Sequence, residues 1–533
     1  MKNSSGKSVG APRSFNLVDE PWIPVVDATG EAFKVGLREL FERSEELVDL
    51  AVGTLERISL YRLLICVAQR ALNGPKNQDE WLEAEGKLVA ASLAYLDDWR
   101  DRFDLWGERP FLQVKELQAN GRTKTDKLDF GLASGNNNTL FDQAATEDGR
   151  AHEPDWLARN LLVYLAFSPG GRIGVATING RETDGGGSSA NAPCVESCML
   201  FALVKGANLA QTIVWNMIPF DNLTHFPAGV GKPVWEFDEP FAEDAKKTIG
   251  NSWLGRLTPI ARFVRLEEDG RNMTLANGVK YSQLFEDAVR EPMATVLVDK
   301  KKNEWKYART DPERKPWRQL GAILTRSVDG AGGPLTLQNV AKFAANENDD
   351  AYFTVWTGGL ATDKAKVIDS ASWSVEVPWR YLSEAAVNDA LKAYEIGVKT
   401  SEIAEKRLAG AVKRYCDSLC NEAQKEWDKK TSLLVQAKNR FWTALERRVT
   451  ELIDEAGESG ELEGWRQTLK EAMQDAYEKT CARRTARQIQ AFAEGSRILR
   501  LPEKSRKKAG ESKATKGKTG KKKENNSTED NEK

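Results

Sequence analysis

The side chains that most often carry catalysis are scarce in this sequence. There are two histidines, His152 and His225, and neither stands in an HExxH pattern or beside a Ser or Cys nucleophile pattern. Residues 226–233 (FPAGVGKP) resemble the end of a phosphate-binding P-loop. However, the leading glycine is missing, and Pro233 replaces the Ser or Thr that would reach magnesium. The residue types therefore argue against a zinc hydrolase, a catalytic triad and a nucleotide site.

The six cysteines are interpreted as reduced thiols rather than metal ligands. Cys194 and Cys198, and separately Cys416 and Cys420, have i, i+4 spacing, which is not the CxxC pairing of a zinc ribbon. The N-terminal residues lack the apolar segment of a secretory signal. No run of roughly eighteen apolar residues is present to span a membrane. These features predict a cytoplasmic protein with no metal, no other cofactor and no membrane contact.

Three polar or glycine-rich segments remain as candidate binding elements. Residues 131–143 (GLASGNNNTLFDQ) combine three asparagines with one large aromatic, Phe141. Residues 168–190 contain seven glycines, and residues 358–367 (GGLATDKAKV) predict a glycine-led turn with two lysines. Glycine lets a main chain approach another molecule closely, and exposed amides suit phosphates or groove edges. Each segment can equally be a flexible connection, and Phe141 can either fill the core or plug into a partner.

Hydrophobic periodicity predicts the elements that position these segments. Helices are predicted over residues 35–43, 54–71, 79–102 and 155–166. Residues 15–26 predict a short strand that carries Trp22 into a core. From residue 383 to 500 there is no proline, and charged residues interleave with apolar ones at helical spacing. The sequence therefore predicts an α+β fold: a large mixed N-terminal domain (residues 15–380), followed by a C-terminal helical (four-helix) bundle (residues 381–500).

Charge is spread unevenly along the chain. The formal net charge of −2 does not by itself indicate nucleic acid, but residues 504–523 carry ten Lys or Arg and one acid. Residues 1–14 and the Lys-rich residues 501–533 predict disordered ends. A basic tail of this kind is expected to add DNA affinity that does not depend on sequence.

Three segments resemble one known family, both in sequence and in their order. Residues 15–25 (FNLVDEPWIPV) are similar to the N-terminal signature of the CasA family, the large subunit of the type I-E CRISPR surveillance complex, Cascade. Residues 109–115 (RPFLQVK) are similar to that family's His-Pro-Phe-Met-Gln-x-Lys segment. Residues 134–143 (SGNNNTLFDQ) resemble its Ser-Gly-x-x-Asn-x-x-Phe loop. The family's plan, a mixed domain followed by a helical bundle, fits the predicted organisation of residues 15–500.

The resemblance implies a recognition subunit that is not an enzyme. In the family, a CRISPR RNA reads the target by base pairing, and the large subunit inspects duplex DNA for a short protospacer-adjacent motif (PAM), mainly through the minor groove. The subunit also helps to open the duplex for R-loop formation and docks a separate helicase-nuclease. The implied partners are CRISPR RNA, the backbone, small and RNA-end-binding subunits of Cascade, target double-stranded DNA and the helicase-nuclease effector.

Two other hypotheses stay open at this point. One is an assembly scaffold of an RNA–protein complex that does not read a PAM. The other is an unrecognised enzyme, centred on His152 or on a carboxylate pair.

Position by position, the resemblance assigns two groups of residues. The loop that the family uses near the RNA 5′ end and the PAM falls on Asn138, Phe141, Asp142 and Gln143, where the last two replace the Val-Asn of another member. The DNA-contacting positions fall on the glycine loop (Gly170, Gly171), the minor-groove lysine (Lys280) and the wedge under the PAM duplex (Asp363, Lys364, Ala365, Lys366). In the wedge, Lys364 replaces a glutamine. An amide donates and accepts, whereas lysine only donates, so a tolerant and different PAM preference is predicted.

Overall fold

The structure is a computed structural model that mixes helices and short antiparallel sheets. It describes residues 13–131, 150–183, 185–188, 192–287, 289–299, 304–326, 331–344, 351–363, 366–382, 387–419, 427–458 and 461–501. The α-helices, in chain order, are α1 (Leu37–Glu42), α2 (Thr54–Leu72), α3 (Gln78–Asp98), α4 (Pro154–Phe167), α5 (Leu209–Trp215), α6 (Glu243–Asn251), α7 (Trp253–Leu257), α8 (Leu284–Asp287), α9 (Leu320–Leu324), α10 (Leu335–Ala344), α11 (Val387–Leu419), α12 (Trp427–Glu446), α13 (Val449–Glu458), α14 (Glu463–Thr480) and α15 (Ala486–Ser496).

The strands are short, apart from one long pair. They are β1 (Ile23–Asp27), β2 (Ala32–Val35), β3 (Leu47–Leu50), β4 (Leu117–Ala119), β5 (Thr123–Lys124), β6 (Gly171–Ile173), β7 (Ala176–Ile178), β8 (Arg181–Glu182), β9 (Gly186–Ser188), β10 (Phe201–Lys205), β11 (Arg262–Leu266), β12 (Asn272–Asn277), β13 (Val296–Asp299), β14 (Glu304–Tyr307), β15 (Tyr352–Asp363) and β16 (Lys366–Pro378). They form the sheets β2-β1-β3, β10-β15-β16, β11-β12-β5, β13-β14, β4-β7-β8 and β6-β9. The expectation of a mixed helix and sheet fold is confirmed.

The N-terminal segment enters the core as the sequence predicts. Trp22 is fully buried directly before β1, and its indole N–H donates to the Leu17 carbonyl at 2.8 Å. Strand β1 lies between β2 and β3 in an antiparallel sheet. A buried tryptophan needs such a partner for its N–H, and the local chain supplies it.

Helix α2 is the central element of the N-terminal part. It matches the helix predicted over residues 54–71, and every residue from Ile58 to Gln69 is buried. The burial is complete because α2 packs against α3, α4, α5, α7 and strand β15. The first residue, Thr54, lies against β15, since a Cβ added to Gly358 would come within 2.9 Å of the Thr54 methyl group.

The turn predicted over residues 358–367 is wrong. Gly358 and Gly359 lie inside β15, which pairs with β16 along its whole length. A Cβ on Gly359 would fall 2.5 Å from the Met199 carbonyl oxygen, and one on Gly358 would collide with the Trp356 ring. The two glycines therefore permit close packing of the strand rather than a turn.

The glycine-rich stretch from 168 to 190 is also more regular than a loop. Within its described residues, Gly171 pairs with Ser188 as β6 meets β9, and β7 pairs with β8. Main-chain hydrogen bonds between these short strands do not require large side chains, so glycine content alone misleads here.

The C-terminal region is helical, as predicted. Its described residues form α11–α15, with α11 packed against α12, α13, α14 and α15. Trp465 is fully buried, and its indole N–H donates to the Ser401 hydroxyl at 3.1 Å. The four-helix count stays a prediction, because five helices are described and α12 and α13 are separated only by a short turn. No helix in the described ranges is long and apolar enough to cross a bilayer.

Candidate nucleic-acid interface

The long β15–β16 hairpin carries the predicted wedge at its end. Asp363 pairs with Lys366, and both side chains are exposed. Lys364 and Ala365, which join these two residues in sequence, lie outside the described residues. The structure thus places Asp363 and Lys366, the described residues of the predicted wedge, at the end of the β15–β16 pairing.

A β-bulge interrupts the pairing just behind this connection. Thr362 pairs with Val367 and Ala361 pairs with Asp369, so Ile368 is the extra residue on β16. Bulges bend a strand and redirect side chains. The Ile368 side chain is 52% exposed, which leaves a large apolar group near the end of the hairpin.

Cys198 contacts Thr362 and so anchors the end of the hairpin. Its sulfur accepts from the Thr362 amide at 3.3 Å, lies 3.4 Å from the Thr362 hydroxyl and lies 3.7 Å from the Arg309 guanidinium. Burial alone would raise the pKa of the Cys198 thiol, but the hydrogen bonds from Thr362 and Arg309 outweigh it and hold the pKa below its usual value. Ser197 and Cys198 both have left-handed backbone, with φ of 52° and 54°. Left-handed backbone is uncommon for residues other than glycine.

A buried arginine, Arg262, contacts the start of the predicted glycine segment. Arg262 donates to the Pro169 carbonyl at 3.2 Å and to the Asn277 side-chain oxygen at 3.1 Å. Burial lowers the pKa of this guanidinium, and nearby Tyr164 offsets the effect only in part. A Cβ added to Gly171 would meet no atom within 4 Å. The space next to the Gly171 main chain is therefore empty of other atoms of the described residues. The hydrogen bond from Arg262 fixes Pro169, which precedes the glycines of this segment.

Lys280 lies on the surface beyond β12. Its side chain is exposed, while its carbonyl oxygen lies 2.5 Å from the position of a Cβ on Gly250. The backbone is therefore fixed by close packing against α6, and the ammonium can reach outwards. Whether Lys280 contacts DNA stays a prediction.

The loop residues Asn138, Phe141, Asp142 and Gln143 lie outside the described residues, but the two ends of their loop are described. On the first side, the Asp129 carboxylate accepts from the Gly131 amide at 2.7 Å. On the far side, the His152 amide donates to the Gly270 carbonyl at 3.0 Å. Hydrogen bonds therefore hold the main chain both before and after the predicted RNA-proximal loop.

The contacts of the two histidines are those of residues that stabilise the fold. The His152 Nε2 lies 2.6 Å from the Asp126 carboxylate, and its ring stacks on Trp156 with 3.6 Å between ring centroids. Burial, with a smaller effect of nearby Arg290, lowers the pKa of His225 and favours its neutral form. No group of three or more His, Cys, Asp or Glu residues could hold a metal in the part of the chain that the structure describes.

The P-loop-like segment does not present its lysine to a ligand. Lys232 donates to the Glu236 carbonyl at 3.0 Å and lies 4.2 Å from the Phe237 ring centroid. Gly229 and Gly231 have positive φ, as turns require. The segment is best understood as an ordinary turn, which the sequence pattern also allows.

A cleft of about 430 Å³ lies between the residues that precede the loop and strand β16 of the hairpin. It is lined by the start of α2, the residues before the loop (Asp129, Phe130, Gly131), one face of α4 and residues 367–370 of β16. The structure therefore brings the base of the predicted RNA-proximal loop and the predicted wedge hairpin to the same place. Lys280 is not among the residues that line this cleft.

Three residues that position these segments carry no clear signal in the sequence pattern: Cys198, Arg262 and Trp156. Cys198 contacts Thr362 and Arg262 contacts Pro169, and both partners are distant in sequence. Trp156 stacks on His152, which precedes helix α4. Arg262 and Trp156 resemble ordinary strand and helix residues. The i, i+4 cysteine spacing marks Cys198 but does not indicate such a contact.

Comparison with known proteins gives consistent matches over most of the chain. A sequence model of the family described as CRISPR-associated protein Cse1 matches residues 16–476. The CRISPR-associated protein CasA/Cse1 of Thermus thermophilus is 30% identical over 506 residues, which cover 91% of this chain and 97% of the relative.

Solved structures show the same likeness. A crystal structure of CasA from Thermus thermophilus is 26% identical, with a TM-score of 0.73, and the match covers 91% of this chain and 98% of that chain. A chain of a structure described as a CRISPR RNA-guided surveillance complex is 18% identical, with a TM-score of 0.67 over 92% of this chain and 100% of that one, which shows a shared fold. The resemblance drawn from the three sequence segments is confirmed: this chain belongs to the CRISPR-associated Cse1 (CasA) family.

Proposed function

We propose that this chain is the large subunit of a type I-E CRISPR RNA-guided surveillance complex and that it recognises the PAM in double-stranded DNA. In this role it contacts the minor groove, helps to open the duplex for R-loop formation and docks the helicase-nuclease. Its partners are the CRISPR RNA, the other Cascade subunits and target DNA, and it performs no catalysis itself. Base pairing reads the target sequence, so the protein has only a short motif to read.

One observation carries the proposal for PAM reading. The β15–β16 hairpin ends at Asp363 and Lys366, and its end is anchored by Cys198 through Thr362. An anchored hairpin can present side chains to a DNA groove, because proteins that read DNA with a β-ribbon use either the major or the minor groove. Family membership supports the same role.

Reconstitution of the complex with and without this chain tests the proposal. Duplexes that carry a library of PAM sequences should be bound with a ranked, though tolerant, sequence preference only when the chain is present. Equal binding to all library members by a complex that contains the chain would contradict PAM reading and favour the scaffold. Nuclease activity of the purified chain with a divalent metal would contradict the non-enzymatic role.

Removal of residues 502–533 should flatten the salt dependence of DNA binding. A plot of log K against log salt concentration has a slope of about −0.9 for each phosphate neutralised. Residues 504–523 carry ten Lys or Arg, so their loss should reduce the magnitude of the slope by about one for each phosphate contact that is lost. The measurement is a salt titration of binding affinity. The control is truncation after Lys523, which keeps the basic stretch. If removal of residues 502–533 left the slope unchanged, this role of the tail would be excluded.

A further inference from the structure

The cleft beside the hairpin has aromatic walls that are already fixed in place. Phe130 and Trp156 line it and are half-buried. His152 covers one face of the Trp156 indole at a centroid distance of 3.6 Å and an interplanar angle of 10°. Phe130 packs on Tyr164, with ring centroids 6.1 Å apart. Such walls cost little ordering entropy when a flat ring binds between or against them.

The charged side chains that line the cleft are carboxylates rather than cations, and Thr54, Asn160 and Ser370 add neutral polar groups. Glu56, Asp129 and Asp369 line it, and none of its described lining residues is Lys or Arg. Arg159 compensates Glu56 from outside at 3.1 Å. Ionised carboxylates only accept hydrogen bonds, so they suit the amino and imino edges of nucleobases and repel phosphate.

The floor and rim of the cleft complete the pattern. Val163 and Leu360 give a buried apolar floor. At the rim, the bulge residue Ile368 leaves an apolar side chain exposed, and Lys366 is exposed two residues earlier. An apolar floor, carboxylates along the lining and an exposed lysine nearby suit a base that enters while its phosphate stays at the surface.

We propose that this cleft holds one unstacked nucleobase of a single strand at the foot of the β15–β16 hairpin. The proposal rests on the proposed function, because it deepens how the hairpin region handles an opened duplex. A captured base would stabilise the separated strands. The base can come from either DNA strand or from the 5′ end of the RNA, and these sources share the same chemistry.

The test places the fluorescent base 2-aminopurine at one position at a time in the target strand, the non-target strand and the RNA 5′ end of the reconstituted complex. In wild type, one position should be strongly quenched by stacking. Trp156→Ala should raise the fluorescence at that position several-fold and weaken target binding on the order of tenfold. Trp156→Phe should keep most of the quenching. The strand that responds identifies the source of the base.

Two further variants make the result specific. Ile368→Glu changes an exposed side chain, so it should fold normally and reproduce the loss of quenching at the same position. Trp106→Ala, at a half-buried tryptophan outside the cleft, should leave the quenching unchanged.

Two outcomes would overturn the proposal. In one, neither variant changes the fluorescence at any position, although binding still depends on the PAM, so the proposed function stands without the base site. In the other, the Trp156→Ala or Ile368→Glu chain is folded by circular dichroism but is lost from the complex with no position-specific change, which favours a protein contact at the cleft over a nucleobase. Absence of PAM dependence in wild type would instead count against the proposed function, and the fluorescence would still report on the cleft.

Discussion

Replacement of Arg62 with methionine should lower the free energy of unfolding by about 3–5 kcal/mol. Arg62 and Glu291 form an ion pair at 3.0 Å, with side chains that are 0% and 2% exposed. Arg62 also donates to the carbonyls of Arg256 at 2.5 Å and Leu257 at 3.3 Å. Methionine fills similar volume but leaves the Glu291 charge buried without its partner. Denaturant unfolding, followed by tryptophan fluorescence, measures the change.

Two controls separate the buried charge from other effects. The double variant Arg62→Met, Glu291→Gln should recover part of the loss, because the uncompensated charge is removed. Lys87→Met breaks an exposed pair with Glu83 at 2.6 Å and should cost less than about 1 kcal/mol. A similarly small effect at Arg62 would show that water or rearrangement compensates Glu291.

The consequence of the Arg62 change should extend to the hairpin. The Arg62 guanidinium lies 5.7 Å from the ring centroid of Phe201, which begins β10. Phe201 pairs with Gly358 in β15. The buried ion pair therefore supports the sheet from which the hairpin extends, and loosening it should weaken DNA binding as well as stability.

The combined change Phe141→Ala and Lys364→Ala should weaken target binding on the order of a hundredfold, while the complex still assembles. An aromatic that stacks on a base contributes about 1–3 kcal/mol, and a specific contact to a base edge contributes a similar amount. Loss of one contact of each kind corresponds to this factor. Equilibrium binding of a fixed target by the reconstituted complex measures the change, and size-exclusion chromatography checks its assembly.

A matched surface change gives the control for this prediction. Lys399→Ala removes an exposed lysine from α11 and should leave target binding unchanged. Unchanged binding in the double variant, or failure of the complex to assemble, would favour the scaffold hypothesis.

The sequence predicts the helices well where burial is periodic and continuous. Helix α2 is expected over residues 54–71 and is observed over Thr54–Leu72. The sequence predicts the wrong local structure for the hairpin, because Gly358 and Gly359 locally favour a turn. Their place in β15 depends on Met199, which is distant in sequence and leaves no space for a Cβ.

The candidate site is predictable only in outline. Family likeness puts the wedge near Lys364, and the hairpin end at Asp363 and Lys366 fits that placement. The support from Cys198 and Arg262 is not predictable, because both contacts join residues far apart in the chain. Such contacts are determined by tertiary packing, and the local helix or strand propensity of a residue does not predict them.

A randomised-PAM binding assay on the reconstituted complex tests the central claim most directly, with wild type and Lys364→Ala side by side. Lysine at the hairpin end can only donate, so it should give the wild type its own ranked preference among PAM sequences. Lys364→Ala should flatten or reorder that ranking. Identical ranked preferences for the two proteins would contradict the assignment of PAM reading to this hairpin.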